Sequence, residues 1–208
     1  MASGIPTGGS SAGPGESPRP HHHKVFSAAR AGHLDTFLRR FLYRPDRLAE
    51  RYVQPGSRVL DFGCGPGFFT REFARRAGDT GTVIAVDVQE EMLCLLREKM
   101  EREGLLPRIR THRCAPDSLG FPPGCDGTVD VAFAIFVIHE VPDSRKVFRE
   151  ISSLLRPGGL FFYSEPPMIV SSRGFRANLA QAEEAGLRLV ERRFFFVNRA
   201  AVLRKDSG

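Results

Sequence analysis

Val59-Leu60-Asp61-Phe62-Gly63-Cys64-Gly65-Pro66-Gly67-Phe68-Phe69-Thr70, VLDFGCGPGFFT, decides the fold. A short apolar run enters the stretch, and three glycines follow at alternate positions. Glycine adopts positive φ at little cost and lets another molecule lie directly on the backbone. Residues 58–62 read as a buried strand and residues 68–77 as the helix after it. The free N–H groups of that helix's first turn would face whatever the glycines admit.

A second apolar run, residues 82–87, ends in Asp87, 20 residues beyond Gly67. At that spacing a carboxylate meets the ribose hydroxyls of nucleotide cofactors. Loop and acid together predict an adenosine-type ligand. The dinucleotide loop is G-x-G-x-x-G, whereas this one is G-x-G-x-G with Asp61 just before it. An acid beside the loop disfavours a pyrophosphate and suits a positively charged ligand, an ammonium or a sulfonium.

Working outward, helical and apolar segments alternate. A helix carries Met92, Leu96 and Met100 on one line. Residues 108–114 form a weaker third strand and residues 129–138 a fourth strand with its exit. Pro142-Asp143 opens a helix with Val147, Ile151, Leu154 and Leu155 inward. Pro157-Gly158-Gly159 is expected to stop it, and residues 160–164 to form the fifth strand. A last helix spans 175–185. Residues 187–196 and 200–203 are expected to pair as an antiparallel hairpin turning on Val197-Asn198-Arg199. This alternation predicts an α/β fold, a doubly wound sheet with helices on both faces. Ligands in such sheets bind at the carboxyl ends of the strands.

VLDFGCGPG, VIAVDVQEEML, VDVAFAIFVIHEVPD and LLRPGGLFFYSEP resemble, in order, the motifs of class I S-adenosylmethionine-dependent methyltransferases. The group they are most similar to is the small ubiquinone/menaquinone-biosynthesis-like, methyltransferase-11-type one. The resemblance covers roughly residues 56–166. It implies a Rossmann-like seven-stranded sheet of order 3-2-1-4-5-7-6 with strand 7 antiparallel. It implies S-adenosyl-L-methionine as methyl donor. Asp61, Gly63, Gly65 and Gly67 would hold the methionine part and the loop, with Cys64 between the glycines. Asp87 would hold the ribose, with Val88 beside the adenine. Ala134 to Phe136 would line the methyl-transfer channel. The family often has an acid after strand three for the adenine amino group. Here Cys114-Ala115 stands in that place, and Asp117, two residues on, is the candidate substitute.

Methyl transfer from a sulfonium is an in-line displacement, and the cofactor carries the reactivity. The protein must align the acceptor, exclude water and, for some acceptors, take a proton. His139, beyond strand four, and Glu165, after strand five, are the candidate bases. The bland readings are a turn cap for His139 and solvation for its neighbour Glu140. Cys64, Cys114 and Cys125 would have to converge for metalloid chemistry, and no metal site is expected. The predicted reaction is methyl transfer to a small-molecule acceptor. An RNA or protein acceptor, or a non-catalytic cofactor-binding subunit, is the alternative. The [DN]-P-P-[YFW] motif of base methyltransferases is missing from the end of strand four, so nucleic acid is not favoured. A nicotinamide oxidoreductase is excluded, because Tyr43, Tyr52 and Tyr163 are followed four residues on by Arg47, Gly56 and Pro167 instead of lysine.

The 208 residues suit one α/β domain. Residues 1–23 read as a disordered tail, since thirteen of the first twenty are Gly, Ser or Pro. Residues 24–56 are expected to form a helical cap, with stripes at Leu34, Phe37, Leu38, Phe41 and Leu42 and at Leu48, Ala49, Tyr52 and Val53. Asp46 is the expected cap of the second helix. Residues 57–208 form the methyltransferase domain. The cap carries seven basic residues against three acids, so much of the net charge of +6 gathers there. No apolar run approaches a membrane span, and the N-terminus has no signal-peptide core. The expected compartment is the cytoplasm, and the expected state a monomer or homodimer.

Overall fold

The computed structural model describes residues 43–207. The tail at 1–23 and the first cap helix lie outside the described residues. Helix α1 (Pro45–Tyr52) is followed by β1 (Arg58–Phe62), α2 (Thr70–Ala77), β2 (Thr82–Asp87), α3 (Glu90–Arg102) and β3 (Ile109–Arg113). Then come β4 (Val129–Ile135), α4 (Ser144–Leu154), β5 (Leu155–Glu165), α5 (Ser172–Glu184), β6 (Leu187–Phe195) and β7 (Asn198–Lys205). The strands make one sheet of order β3-β2-β1-β4-β5-β7-β6. β7 is antiparallel to both β5 and β6. This is the Rossmann-like seven-stranded order that the resemblance implied.

Side chains alternate across the sheet, so each strand feeds two cores. Val59, Phe133 and Phe162 join the core under α2 and α3, and Leu60, Ala132 and Phe161 join the one under α4 and α5. Phe73 of α2 stacks on Phe133 with ring centroids 4.1 Å apart, and both are fully buried. Truncating either ring to alanine costs about 3–5 kcal/mol.

Several local expectations shift. α1 is entered through Arg44 in a left-handed conformation, with Pro45 at its first position and no side-chain cap. Asp46 therefore sits in the first turn and does not cap, because proline already presets the helical φ. Phe68 and Phe69 belong to the loop, and α2 begins at Thr70. β5 begins at Leu155. Its pairing with β4 jumps from Val129↔Leu155 to Val131↔Leu160, so Pro157-Gly158-Gly159 bulge out of a strand that resumes beyond them. The β6–β7 turn is Phe196-Val197, since Phe195 pairs with Asn198. Buried Asn198 donates to the Phe195 carbonyl at 3.2 Å, which draws it into β7.

Candidate functional site

β1, β2, β4 and β5 end at one edge of the sheet, and the candidate residues gather where they stop. The glycines divide the labour. A Cβ on Gly63 would lie 2.4 Å from a Val137 methyl, and one on Gly67 3.0 Å from Leu96. Gly63 is glycine because the packing leaves no room, and at Gly67 the Leu96 side chain would have to give way. Gly65, at φ 53°, has nothing within 4 Å of an added Cβ. Its Cβ position is open space beside the backbone, which is where a ligand lying on the loop would rest.

Asp87 braces this loop. Its Oδ2 accepts from the Gly65 amide at 2.9 Å and its Oδ1 from the Gln89 amide at 2.9 Å. Burial raises its pKa, and the amide donors of Gln89, Gly65 and Val88 pull it the other way. The carboxylate still has acceptor capacity left for a ligand hydroxyl. Val88 follows, half-buried, its carbonyl accepting from Arg113 at 3.4 Å.

Asp61 is almost wholly buried and accepts from the Thr70 hydroxyl at 2.6 Å. Burial holds its carboxyl up at about 7, with a smaller push from the charge of Asp87. Two carboxyls in one dry corner favour a cationic guest, which would restore the charged form of Asp61. Cys64 is buried and its thiol lies well above the ordinary range, first through burial and then through Asp61 and Asp87. Burial also pushes the Cys114 thiol up to about 11. Thiols held in the protonated form are poor nucleophiles and metal ligands. Among the described residues, no three His, Cys, Asp or Glu side chains gather as a metal site needs.

β4 and β5 run parallel, with Ile135 beside Ser164. Their exits therefore carry His139 and Glu165 to the same place. Glu165 is wholly buried; its Oε2 lies 2.6 Å from His139 Nδ1, and its Oε1 accepts from the His139 amide at 3.2 Å. The hydrogen bond and charge of Glu165 raise the pKa of His139 above its ordinary value. With Nδ1 held as donor to Glu165, Nε2 is the ring nitrogen free for chemistry; it lies 3.9 Å from Glu140 Oε1. Glu140 is itself pushed up by burial.

Ala134 is fully buried in β4. Phe136 follows at φ 62°, an uncommon conformation for a bulky residue, with its amide donating to the Ser164 carbonyl at 2.9 Å. That turn aims its ring at Tyr43, 5.4 Å away, and at Phe195, 6.4 Å away. Asp117 goes elsewhere. Its carboxylate meets Lys146 at 3.3 Å on the surface and is 62% exposed. Thr70, Tyr43 and Phe195 escape a reading by motif. A hydroxyl nine residues past Asp61, across the loop, is the one signal that pointed to Thr70, whereas the two aromatics lie far apart in sequence and only the fold joins them.

Residues 59–159 match the family model of a methyltransferase domain. The chain is 32% identical over 128 residues to the ubiquinone/menaquinone biosynthesis C-methyltransferase UbiE of Enterobacter sp. (strain 638), covering 60% of this chain and 50% of that one. It is 36% identical over 107 residues to the UbiE of Vibrio campbellii, covering 51% and 40%. The chain thus spans about half the length of the curated relatives it matches. A S-adenosylmethionine-dependent methyltransferase from Aquifex aeolicus superposes with a TM-score of 0.77 at 25% identity, covering 87% of this chain and all of that one. The [4+2]-cyclase SpnF superposes at 0.66 with 18% identity, covering 79% and 82%. That last likeness is one of fold alone, and it shows that the fold by itself does not name a reaction.

Proposed function

We propose that this chain is a class I S-adenosylmethionine-dependent methyltransferase of the ubiquinone/menaquinone-biosynthesis-like group and methylates a small-molecule acceptor whose proton is taken by His139. S-adenosylmethionine is the methyl donor and supplies, when bound, an electrophilic methyl on a sulfonium. The observation that carries the reading is the open backbone at Gly65, braced by Asp87 and flanked by buried Asp61.

The main chain of Gly63, Cys64, Gly65 and Gly67 forms the bed for the methionine part. Asp61 stands against its positive charge. Asp87 accepts from the ribose hydroxyls, and Val88 lies along the adenine. Asp117 reaches the adenine amino group only by leaving Lys146. Ala134 and Phe136 wall the channel by which the acceptor approaches.

Glu165 orients His139 through its two hydrogen bonds and stabilises the imidazolium that forms on proton transfer. His139 Nε2 takes the proton that the acceptor atom sheds. The aromatic wall of Tyr43, Phe136 and Phe195 keeps water from that side. Four free cysteines support a reducing compartment, and we place the protein in the cytoplasm, as a monomer or homodimer.

A labelled-methyl screen across quinols, thiols, amines, metalloids and RNA tests the reading. Label should pass to one small-molecule class and vanish in His139→Ala. Label on RNA alone would overturn the acceptor class. No transfer to any acceptor, with the cofactor still bound, would favour a non-catalytic subunit.

A further inference from the structure

Large apolar side chains stand in solvent on two tips. Met168 is 97% exposed and Ile169 60%, on the loop leaving β5. Phe196 and Val197 form the β6–β7 turn at 50% and 58%, and Phe194 beside them is 75% exposed. β5 and β7 pair with Glu165 opposite Arg199, which brings loop and turn to the same end of the sheet. Arg199 ties them together, its Nη1 donating to the Val170 carbonyl at 2.9 Å. Glu165 and His139 sit at that same end, so both tips stand on the rim of the candidate site. Soluble surfaces seldom gather so many large apolar groups without a partner.

Charge lies beside the tips. Arg44, Arg47, Arg51 and Arg193 line, with Phe194 and Phe196, a cavity of about 750 Å³ between α1 and the hairpin. Asp46 and Glu50 are the acids of that cavity, and Arg51 also meets Glu191 at 3.3 Å. Among the described residues, Arg44 and Arg47 hold no ion pair. Arg173, in the first turn of α5 just past Met168 and Ile169, is exposed as well.

Arg193 also meets Glu191, at 3.9 Å, so the charge left for a partner is that of Arg44 and Arg47, and apolar tips beside these two cations complement an anionic lipid surface. The acyl boundary takes the tips and the headgroup phosphates take the guanidinium groups. The geometry points to peripheral docking of this rim on an anionic phospholipid bilayer, which goes beyond the methyl-transfer reading. No helix among the described residues is long and apolar enough to cross a membrane, and the proposed contact is with one leaflet. Single-stranded nucleic acid also takes arginines and aromatic rings. Met168, Ile169 and Val197 are aliphatic and offer no stacking face, so the lipid surface accounts for more of the rim.

Co-sedimentation of the full chain with vesicles of phosphatidylcholine, with and without phosphatidylglycerol, tests this. Binding should need the anionic lipid and fall as salt rises. Arg44→Gln combined with Arg47→Gln should weaken it by about tenfold to thirtyfold, the attraction of the surface for two cations. Met168→Ser combined with Ile169→Ser should reduce it by at least about tenfold, with S-adenosylmethionine binding and melting temperature kept. The chain has no tryptophan. Emission of the Ile169→Trp variant should therefore shift to the blue on anionic vesicles and be quenched by brominated acyl chains, which carries the test if the serine variant loses its fold. No vesicle binding, binding indifferent to phosphatidylglycerol, or unmoved emission from that variant overturns the proposal. So does tight binding to single-stranded RNA without vesicle binding, which would assign the rim to nucleic acid.

Discussion

Glu165 and His139, 26 residues apart in sequence, are joined by two hydrogen bonds: the carboxylate takes both the backbone amide and the ring Nδ1 of the histidine. Such a carboxylate fixes a tautomer and an orientation, and leaves Nε2 as the ring nitrogen open to an acceptor. Because Glu165 raises the pKa of His139, the base form appears only above the ordinary histidine range of about 6.5. Methyl transfer should rise with pH through that raised value. His139→Ala should lower kcat by about 10²–10⁴-fold, the usual contribution of a positioned base. Glu165→Gln should lower kcat less and move the rising limb to more acid pH. A pH–rate profile that is identical in the Glu165→Gln variant would remove Glu165 as the positioning residue.

The same pair bears on stability, with the opposite dependence. A histidine whose pKa is raised by folding stabilises the fold fully below the unfolded value, about 6.5, and loses that contribution as pH climbs through the raised value. Urea titrations of the wild type and of Glu165→Gln should converge as pH rises through this window.

Asp61 should report on cofactor charge. Its carboxyl is held at about 7 by burial, well above the unfolded value of about 3.9. The folded chain therefore binds the extra proton between these values, and the ligand-free protein should lose stability as pH rises from about 4 to about 7, by on the order of 2–4 kcal/mol. Asp61→Asn should flatten that slope. S-adenosylmethionine, by placing positive charge beside Asp61, should bind more tightly as pH rises through the same range. Melting curves with and without the cofactor from pH 5 to 8 measure both effects.

The glycines should separate folding from binding. Gly63→Ala drives a methyl into Val137 at 2.4 Å and should cost about 2–4 kcal/mol, strain added to overpacking. Gly65→Ala meets nothing and should cost only about 1–2 kcal/mol for its positive φ. It should nevertheless weaken cofactor binding at least about tenfold, because the methyl would stand where the ligand is proposed to lie. Chemical denaturation beside calorimetry distinguishes the two variants.

Much of this was legible from residue order. The bounds of β1 and β2 follow from their apolar runs, and Gly63–Gly67 with Asp87 carries the expectation of a cofactor edge, which the binding measurements test. His139 and Glu165 were each visible as candidates, but their pairing was not: it depends on β4 and β5 lying side by side in register, a contact no local pattern encodes. The role of Asp87 in bracing Gly65 was likewise hidden, since a carboxylate at a strand end predicts a ligand without revealing which amides it holds meanwhile. The hairpin turn was misplaced because Asn198 looks like a turn residue, whereas its burial and its bond to Phe195 draw it into β7. Phe196, at φ 57°, takes the strained position instead. The entry to α1 failed for a related reason: Pro45 makes a side-chain cap unnecessary, so Asp46 did not mark the boundary.

The edge formed by Gly65, Asp61 and Asp87 should hold S-adenosylmethionine. Isothermal titration of the full chain with S-adenosylmethionine and with its demethylated product measures this. Both should bind at one site, and Asp87→Ala should weaken them by about 10–100-fold, the loss of charge-assisted hydrogen bonds. Absence of heat with either ligand, alongside clear binding of a nicotinamide dinucleotide, would contradict the claim.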